Sequence, residues 1–375
     1  MKTGDFLREI PCEFFAGVPD SQLKALCDAL YVRYGVGRQH CIAHNEGGAL
    51  ALASGYYLAT GKVPCVYMQN SGLGNVINPI ASLTSPDVYA IPTLFVVGWR
   101  GEPGVHDEPQ HVSQGKVTLR LLEDMGIATF VLDKQTDVSA LREAMKSFEP
   151  LLAEGRSAAI VVRKGALEAE EKARYANDFS LTREEAIATI VANRPDDLFV
   201  STTGKASREL FEIREARGEG HRQDFLTVGS MGHCSMIALG IAGQRPGKRV
   251  WCIDGDGAVL MHMGTLALIG HQQPENYVHV LLNNGAHETV GGMPTVSETV
   301  DYGKIALACG YRHAFLARSA QELEAVLGQA EGLQGPIWIE VKVSIASRDD
   351  LGRPTTTPIQ NRDSFMAFMT GDEKQ

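Results

Sequence analysis

No run of this 375-residue chain is apolar for long enough to span a bilayer. Positive charge is also short: 35 Lys and Arg stand against 45 Asp and Glu, a net charge of −10. That balance argues against nucleic acid or an anionic membrane as partner and requires any cationic subsite to be local. Cysteine is sparse and odd in number, seven residues with no C-x-x-C pair, which excludes a disulfide framework, a zinc ribbon and an iron–sulfur cluster. Met1-Lys-Thr-Gly-Asp has no signal-type apolar stretch behind it, so a cytoplasmic location is expected.

What is present is long enough for two α/β domains. Short apolar runs without alternation, such as Thr93–Val97, Ala158–Val162, Val278–Leu282 and Ile337–Val341, mark parallel strands covered on both faces by helices. An internal repeat organises them. Leu52-Ala-Ser-Gly55, Gly61-Lys62 and Cys65–Met68 match Ala238-Leu-Gly240, Gly247-Lys248 and Trp251–Asp254 at an offset of 185 or 186. Gly126 with its following strand matches Gly310 at offset 184. The expected fold is α/β, two doubly wound parallel-sheet domains of related topology with no central domain between them. The expected boundaries are 1–168, a charged linker at 169–181, 182–346 opened by a Thr182–Glu185 capping box, and a C-terminal arm at 347–375, extended as far as Pro358.

In the second half, Gly255-Asp256-Gly257 is followed after 25 residues by Asn283-Asn284. A carboxylate and an amide at two adjacent strand ends suit a Mg²⁺ ion that takes its other ligands from phosphate and water. The glycines let backbone approach a diphosphate, and the next helix points its N–H groups at it. Alone, such a tripeptide is an ordinary turn.

Three further segments give it context: Gly229-Ser-Met231-Gly-His, Asn45-Glu46-Gly-Gly-Ala-Leu, and Gly17-Val-Pro-Asp20. Together and in this order, they resemble the thiamine-diphosphate-dependent decarboxylases. The two-domain arrangement, with Met68–Asn75, Trp99–Gly104, Gly204–Leu210 and Asn284–His287, resembles the phosphonopyruvate decarboxylases and their sulfopyruvate relatives. The resemblance spans nearly the whole chain. It implies thiamine diphosphate and Mg²⁺ as cofactors, with Asp256, Asn284 and the Ala286 carbonyl as metal ligands. The Asp256–Asn284 gap is one residue longer than in several larger members, which leaves Asn283 as the alternative ligand.

By the same resemblance, Gly255, Gly257, Ala258 and His287 line the diphosphate. Met231 wedges the cofactor into its bent form, with the Gly229 carbonyl beside the amino group. Glu46 meets the aminopyrimidine nitrogen, where burial would help it share its proton. Asp20, His106, His111 and His287 are candidates for handling protons. Lys205, Arg100, Asn70 and Ser71 are candidates for binding the substrate, a small 2-oxo acid with an anionic tail, and Arg208 reads as a surface ion-pair residue. A homodimer or higher oligomer with active sites at the subunit interface is implied, and no nucleic acid or membrane partner. The rival readings are a sulfopyruvate decarboxylase, a carboligase, and a catalytically silent scaffold.

Overall fold

The computed structural model describes residues 1–371. It divides into two compact units, Met1–Arg174 and Tyr175 onward, and the division falls inside the charged 169–181 segment.

The first unit holds a six-stranded parallel sheet: β1 (Phe15–Gly17), β2 (His40–Ile42), β3 (Cys65–Gln69), β4 (Leu94–Gly98), β5 (Ala128–Leu132) and β6 (Ala158–Val162), in the order β2-β1-β3-β4-β6-β5. The second repeats it with β7 (Leu198–Ser201), β8 (Asp224–Leu226), β9 (Val250–Gly255) and β10 (Tyr277–Asn283). A short hairpin of β11 (Ala286–His287) and β12 (Met293–Pro294) follows, then β13 (His313–Ala317) and β14 (Ile337–Lys342). Its order is β13-β14-β10-β9-β7-β8, the same topology read from the other edge. The repeat in the sequence is therefore a repeat of connectivity. The segments at a common offset occupy equivalent strands.

Burial follows position. Every residue of β4, β6 and β10 is buried, as helices on both faces require, whereas edge strands β5 and β13 are mostly half-exposed. Core side chains line both faces of the second sheet, Ile253, Val280 and Ile339 on one and Cys252, Leu281 and Trp338 on the other.

Local signals set the helix starts. Thr182 and Glu185 form the reciprocal capping box that opens helix Arg183–Asn193. Asn45 caps helix Glu46–Thr60 by accepting from the Gly48 N–H at 2.7 Å.

The expected C-terminal arm is irregular only to Thr357. Arg348 there pairs with Glu184, and Arg208 donates to the Leu351 and Gly352 carbonyls. Thr357 and Gln360 then cap helix Pro358–Thr370, with Pro358 at its first turn. That helix buries Phe365, and Asn361 both donates to the Asp224 carbonyl and accepts from the Leu226 N–H, so it extends the second unit.

Candidate active site

In the second unit the chemistry gathers at the carboxyl ends of β9 and β10. Asp256 opens a helix of six residues directly after β9 and is buried. Its Oδ2 accepts from Thr295 Oγ1 at 2.5 Å and Ser297 Oγ at 2.8 Å. Burial pushes this carboxyl up to about 6, against the pull of both hydroxyls. A carboxylate sealed from water with neutral hydroxyls as side-chain partners is costly unless a cation joins it. The donors are hard oxygens, the set Mg²⁺ takes. The residues fit the ion.

The hairpin β11–β12 brings those hydroxyls in. Ala286 pairs with Pro294 and His287 with Met293, and the Thr295 N–H closes onto the Gly285 carbonyl at 2.8 Å. Asn284, at the hairpin's start, is buried and fixed from three sides. Its Nδ2 donates to Glu288 Oε2 at 2.9 Å, its Oδ1 accepts from the Ala286 N–H at 3.0 Å, and its carbonyl accepts from Asn177 Nδ2 at 2.8 Å. The amide oxygen keeps a second lone pair for a metal. Asn283, the alternative ligand, ends β10 with its Nδ2 donating to Glu340 at 2.8 Å.

Gly257 leaves little room for a side chain. A Cβ there would sit 3.2 Å from Met231 Cε and 3.1 Å from the His287 ring, so the thioether and the imidazole converge on this backbone. Met231 is half-buried rather than sealed in the core, in a segment turned by Ser230 at φ 55°. Ala258 lies one residue further into the short helix, and Gly229 one residue before Ser230. Burial lowers His287 to about 4, so its imidazole is neutral near pH 7 and is not a standing acid.

Lys205 departs from the sequence reading. Its ammonium is 2.9 Å from Glu288 Oε1 and donates to Ser347 Oγ at 2.5 Å, so it is no free point charge for substrate. Glu288 also receives Arg183 Nη1 at 2.5 Å, and Arg183 clamps Glu209 through two bonds of 2.6 Å. The basic residues thus serve Glu288, which serves Asn284.

In the first unit, Glu46 is buried at the start of its helix, and its Oε2 accepts from Asn75 Nδ2 at 2.6 Å. Gly72 lies so close that any Cβ there would strike the Glu46 carboxylate. Asp20, just after β1, is fully buried. Its Oδ1 accepts from Gln69 Nε2 at 2.6 Å and its Oδ2 from the Gln22 N–H at 3.1 Å. Burial raises its carboxyl, partly offset by the Gln69 bond. Ser71 donates to the other end of Gln69 at 2.8 Å.

Asn70 is a correction. Its amide is spent inside the unit, donating to the Arg100 carbonyl and Thr118 Oγ1, each at 2.8 Å, and accepting from the Arg100 N–H. It shapes the loop and offers substrate nothing. Arg100 is engaged as well, bidentate to Asp107 at 2.8 and 2.5 Å, with Nη1 donating to Ser21 Oγ at 3.0 Å. It borders a groove of about 400 Å³ with Ser21, Gln22, Lys24, His106 and Lys164. His106 is exposed there, whereas His111 is buried at the start of helix Pro109–Asp124. Burial, then the Arg100 charge, lowers His111 below the usual histidine range. The two histidines therefore sit in opposite environments. Glu288, Arg183, Thr295, Ser297 and Asn75 were not anticipated from sequence.

Residues 202–341 match the C-terminal TPP binding domain of the thiamine pyrophosphate enzymes, and residues 4–124 match their N-terminal TPP binding domain. A phosphonopyruvate decarboxylase of Streptomyces viridochromogenes is 36% identical over 95% of this chain and 91% of its own length. One of Streptomyces hygroscopicus is 35% identical over 95% and 90%. The chain belongs to the phosphonopyruvate and sulfopyruvate decarboxylase family of thiamine pyrophosphate enzymes. Its sulfopyruvate branch includes a decarboxylase of Methanosarcina acetivorans, 30% identical over 74% of each chain. As a thiamine-pyrophosphate-dependent decarboxylase, the chain carries Glu46 in the segment matching the N-terminal TPP domain. Met231, Asp256 and Asn284 fall in the segment matching the C-terminal one. Among the described residues no helix is long and apolar enough to cross a membrane.

Proposed function

We propose that this decarboxylase converts 3-phosphonopyruvate to phosphonoacetaldehyde and CO₂, using Mg²⁺ with its thiamine diphosphate. The metal reading rests on one observation, the Asp256 carboxylate buried against the Thr295 and Ser297 hydroxyls and backbone N–H groups, all of them neutral donors. The substrate reading rests on the two phosphonopyruvate decarboxylases that align with nearly all of the chain.

In this reading Asp256, Asn284 and the Ala286 carbonyl hold the ion, and the backbone of Gly255, Gly257 and Ala258 faces the diphosphate, with His287 beside it as a neutral group. Met231 supports the cofactor from the side of Gly257, with the Gly229 carbonyl nearby. Bound thiamine diphosphate supplies the nucleophilic carbon and the sink for the electrons left as CO₂ departs. Glu46 holds and shares a proton with the aminopyrimidine, its carboxylate aimed by Asn75 and pressed by Gly72. Asp20, whose carboxyl burial raises, is the first choice for returning a proton to the product carbon, with His111 and His106 behind it. Arg100, set by Asp107 at the groove, is the candidate for the anionic tail, with Ser71 as a neutral donor. The protein acts in the cytoplasm as a homodimer or higher oligomer with active sites at subunit interfaces.

The test compares CO₂ release from phosphonopyruvate, sulfopyruvate and pyruvate, with Mg²⁺ and with excess chelator. A larger kcat/KM for sulfopyruvate overturns the substrate, in favour of the reading carried by the Methanosarcina relative. Full cofactor binding in chelator, or in Asp256→Ala, overturns the metal site.

A further inference from the structure

Four polar side chains are sealed inside the second unit and have no part in the chemistry above. Cys252 and Asp254 are alternate residues of β9 and so share one face of the sheet. His279 lies directly across from Cys252 on β10, and Cys234 starts the helix Cys234–Gln244 that covers this face. Their exposures are 0%, 1%, 0% and 2%, among apolar neighbours such as Leu239, Leu281 and Trp338.

The Cys234 and Cys252 sulfurs are 3.7 Å apart, and His279 Nε2 is 3.4 Å from Asp254 Oδ2. Cys252 also contacts His279, and Cys234 contacts Asp254. The ligand atoms of Cys234, Cys252 and Asp254 all lie within 4.8 Å of one another. The three of them form one cluster, and His279 borders it through Asp254 and Cys252. Two sulfurs at about 2.3 Å from one zinc ion stand about 3.8 Å apart, and a nitrogen and an oxygen at about 2.1 Å stand about 3.4 Å apart.

The outer contacts point the same way. His279 Nδ1 is 3.0 Å from the Tyr311 hydroxyl, and Asp254 Oδ1 accepts from the Gly255 N–H at 2.9 Å. His279 Nε2 faces a carboxylate oxygen, and either a proton on that nitrogen or a cation must stand between the two. The 3.4 Å separation is long for a charge-assisted hydrogen bond, which runs about 2.7–2.9 Å.

We infer that Cys234, Cys252 and Asp254, with His279 bordering them, bind one zinc-class divalent cation. Two thiolates select a borderline-soft ion over Mg²⁺, which keeps this site apart from the oxygen site at Asp256. Its role is structural. Asp254 immediately precedes the Gly255-Asp256-Gly257 turn, so the ion fixes the strand end from which that turn departs. The inference is independent of the substrate and of Mg²⁺.

The test is metal analysis of the untagged full-length protein, expressed with zinc and dialysed against chelator. About one zinc per chain is expected to remain, released on denaturation to a chromogenic chelator. Protein produced with cobalt is expected to show a thiolate-to-cobalt charge-transfer band, and Cys234→Ser with Cys252→Ser to lose both band and metal. Folded wild-type protein without zinc, or without the cobalt band, overturns the inference, and neither measurement needs the variant to fold. Undiminished zinc in a soluble double variant overturns it as well.

Discussion

Glu288 touches no reacting atom in this account, yet Asn284 depends on it, and two substitutions separate its charge from its geometry. Its carboxylate accepts from Arg183 at 2.5 Å, Lys205 at 2.9 Å and Asn284 at 2.9 Å, with the side chain only 9% exposed. Removing one partner of a buried pair costs about 3–5 kcal/mol, because the remaining charge is stranded. Here Arg183 keeps Glu209, and Lys205, 23% exposed, can turn to water, so the loss falls at the lower end, about 3 kcal/mol. Glu288→Gln and Glu288→Leu share that loss. They differ at Asn284. Glutamine still offers an oxygen to Asn284 Nδ2, while its amide nitrogen repels Lys205. Leucine offers nothing, and the Asn284 amide is free to rotate its oxygen away from the metal. Isothermal titration of thiamine diphosphate at varied Mg²⁺ should therefore show Glu288→Gln within a few-fold of wild type and Glu288→Leu weaker by about 10-fold or more. Thermal melts should show both destabilised alike. If the leucine variant melts early but binds metal and cofactor as wild type does, Glu288 only stabilises the fold and the reasoning is refuted.

Glu46→Ala should leave cofactor binding intact and lower kcat by at least about 100-fold, with Asn75→Ala intermediate; turnover of Glu46→Ala at the parent rate removes that residue from the mechanism. Arg214 pairs with Asp224 through two bonds of 3.0 Å with both side chains buried, and burial still pushes the Asp224 carboxyl up to about 6. Arg214→Met should cost about 3–5 kcal/mol in chemical denaturation and the paired Arg214→Met/Asp224→Leu much less; equal losses would show that the charge is not the cause. His111 is held below its ordinary value by burial, so the unfolded chain takes up its proton first. Its contribution to stability is complete above the unfolded pKa of about 6.5 and declines as pH falls through the lower folded value. Melting temperatures at pH 7.5 and 5.5 should differ less in His111→Gln than in wild type, and an unchanged difference rules this group out.

The strands legible in sequence were those long and apolar enough to announce burial on both faces, as at Ala158–Val162. β1, β2 and β8 have three residues each, too few to show any pattern, and they were not read from the sequence. The cap at Thr182 was readable because its partner lies three residues away. Asp256 stood out through its glycines, and Glu46 through the small residues after it. Thr295 and Ser297 did not, because the hairpin that delivers them is set by pairs such as Ala286 with Pro294, not by any local motif. Lys205 and Asn70 misled for a related reason. Sequence shows that a side chain can donate but not that a neighbour has already taken what it offers.

The shared strand order has a consequence for how the chain tolerates being cut. Each unit completes its own six-stranded sheet, and the β-bridge between Lys2 and Glu168 closes the first one before residue 175. Two co-expressed polypeptides parted between Arg174 and Tyr175 would each retain every ladder of its sheet. A break only a few residues later, at the Thr182 cap, would strand Asn177 on the wrong piece and deprive the Asn284 carbonyl of its donor. The seam in this tandem therefore lies upstream of where the second domain's first helix begins, and the stretch between the two belongs to the Asn284 loop.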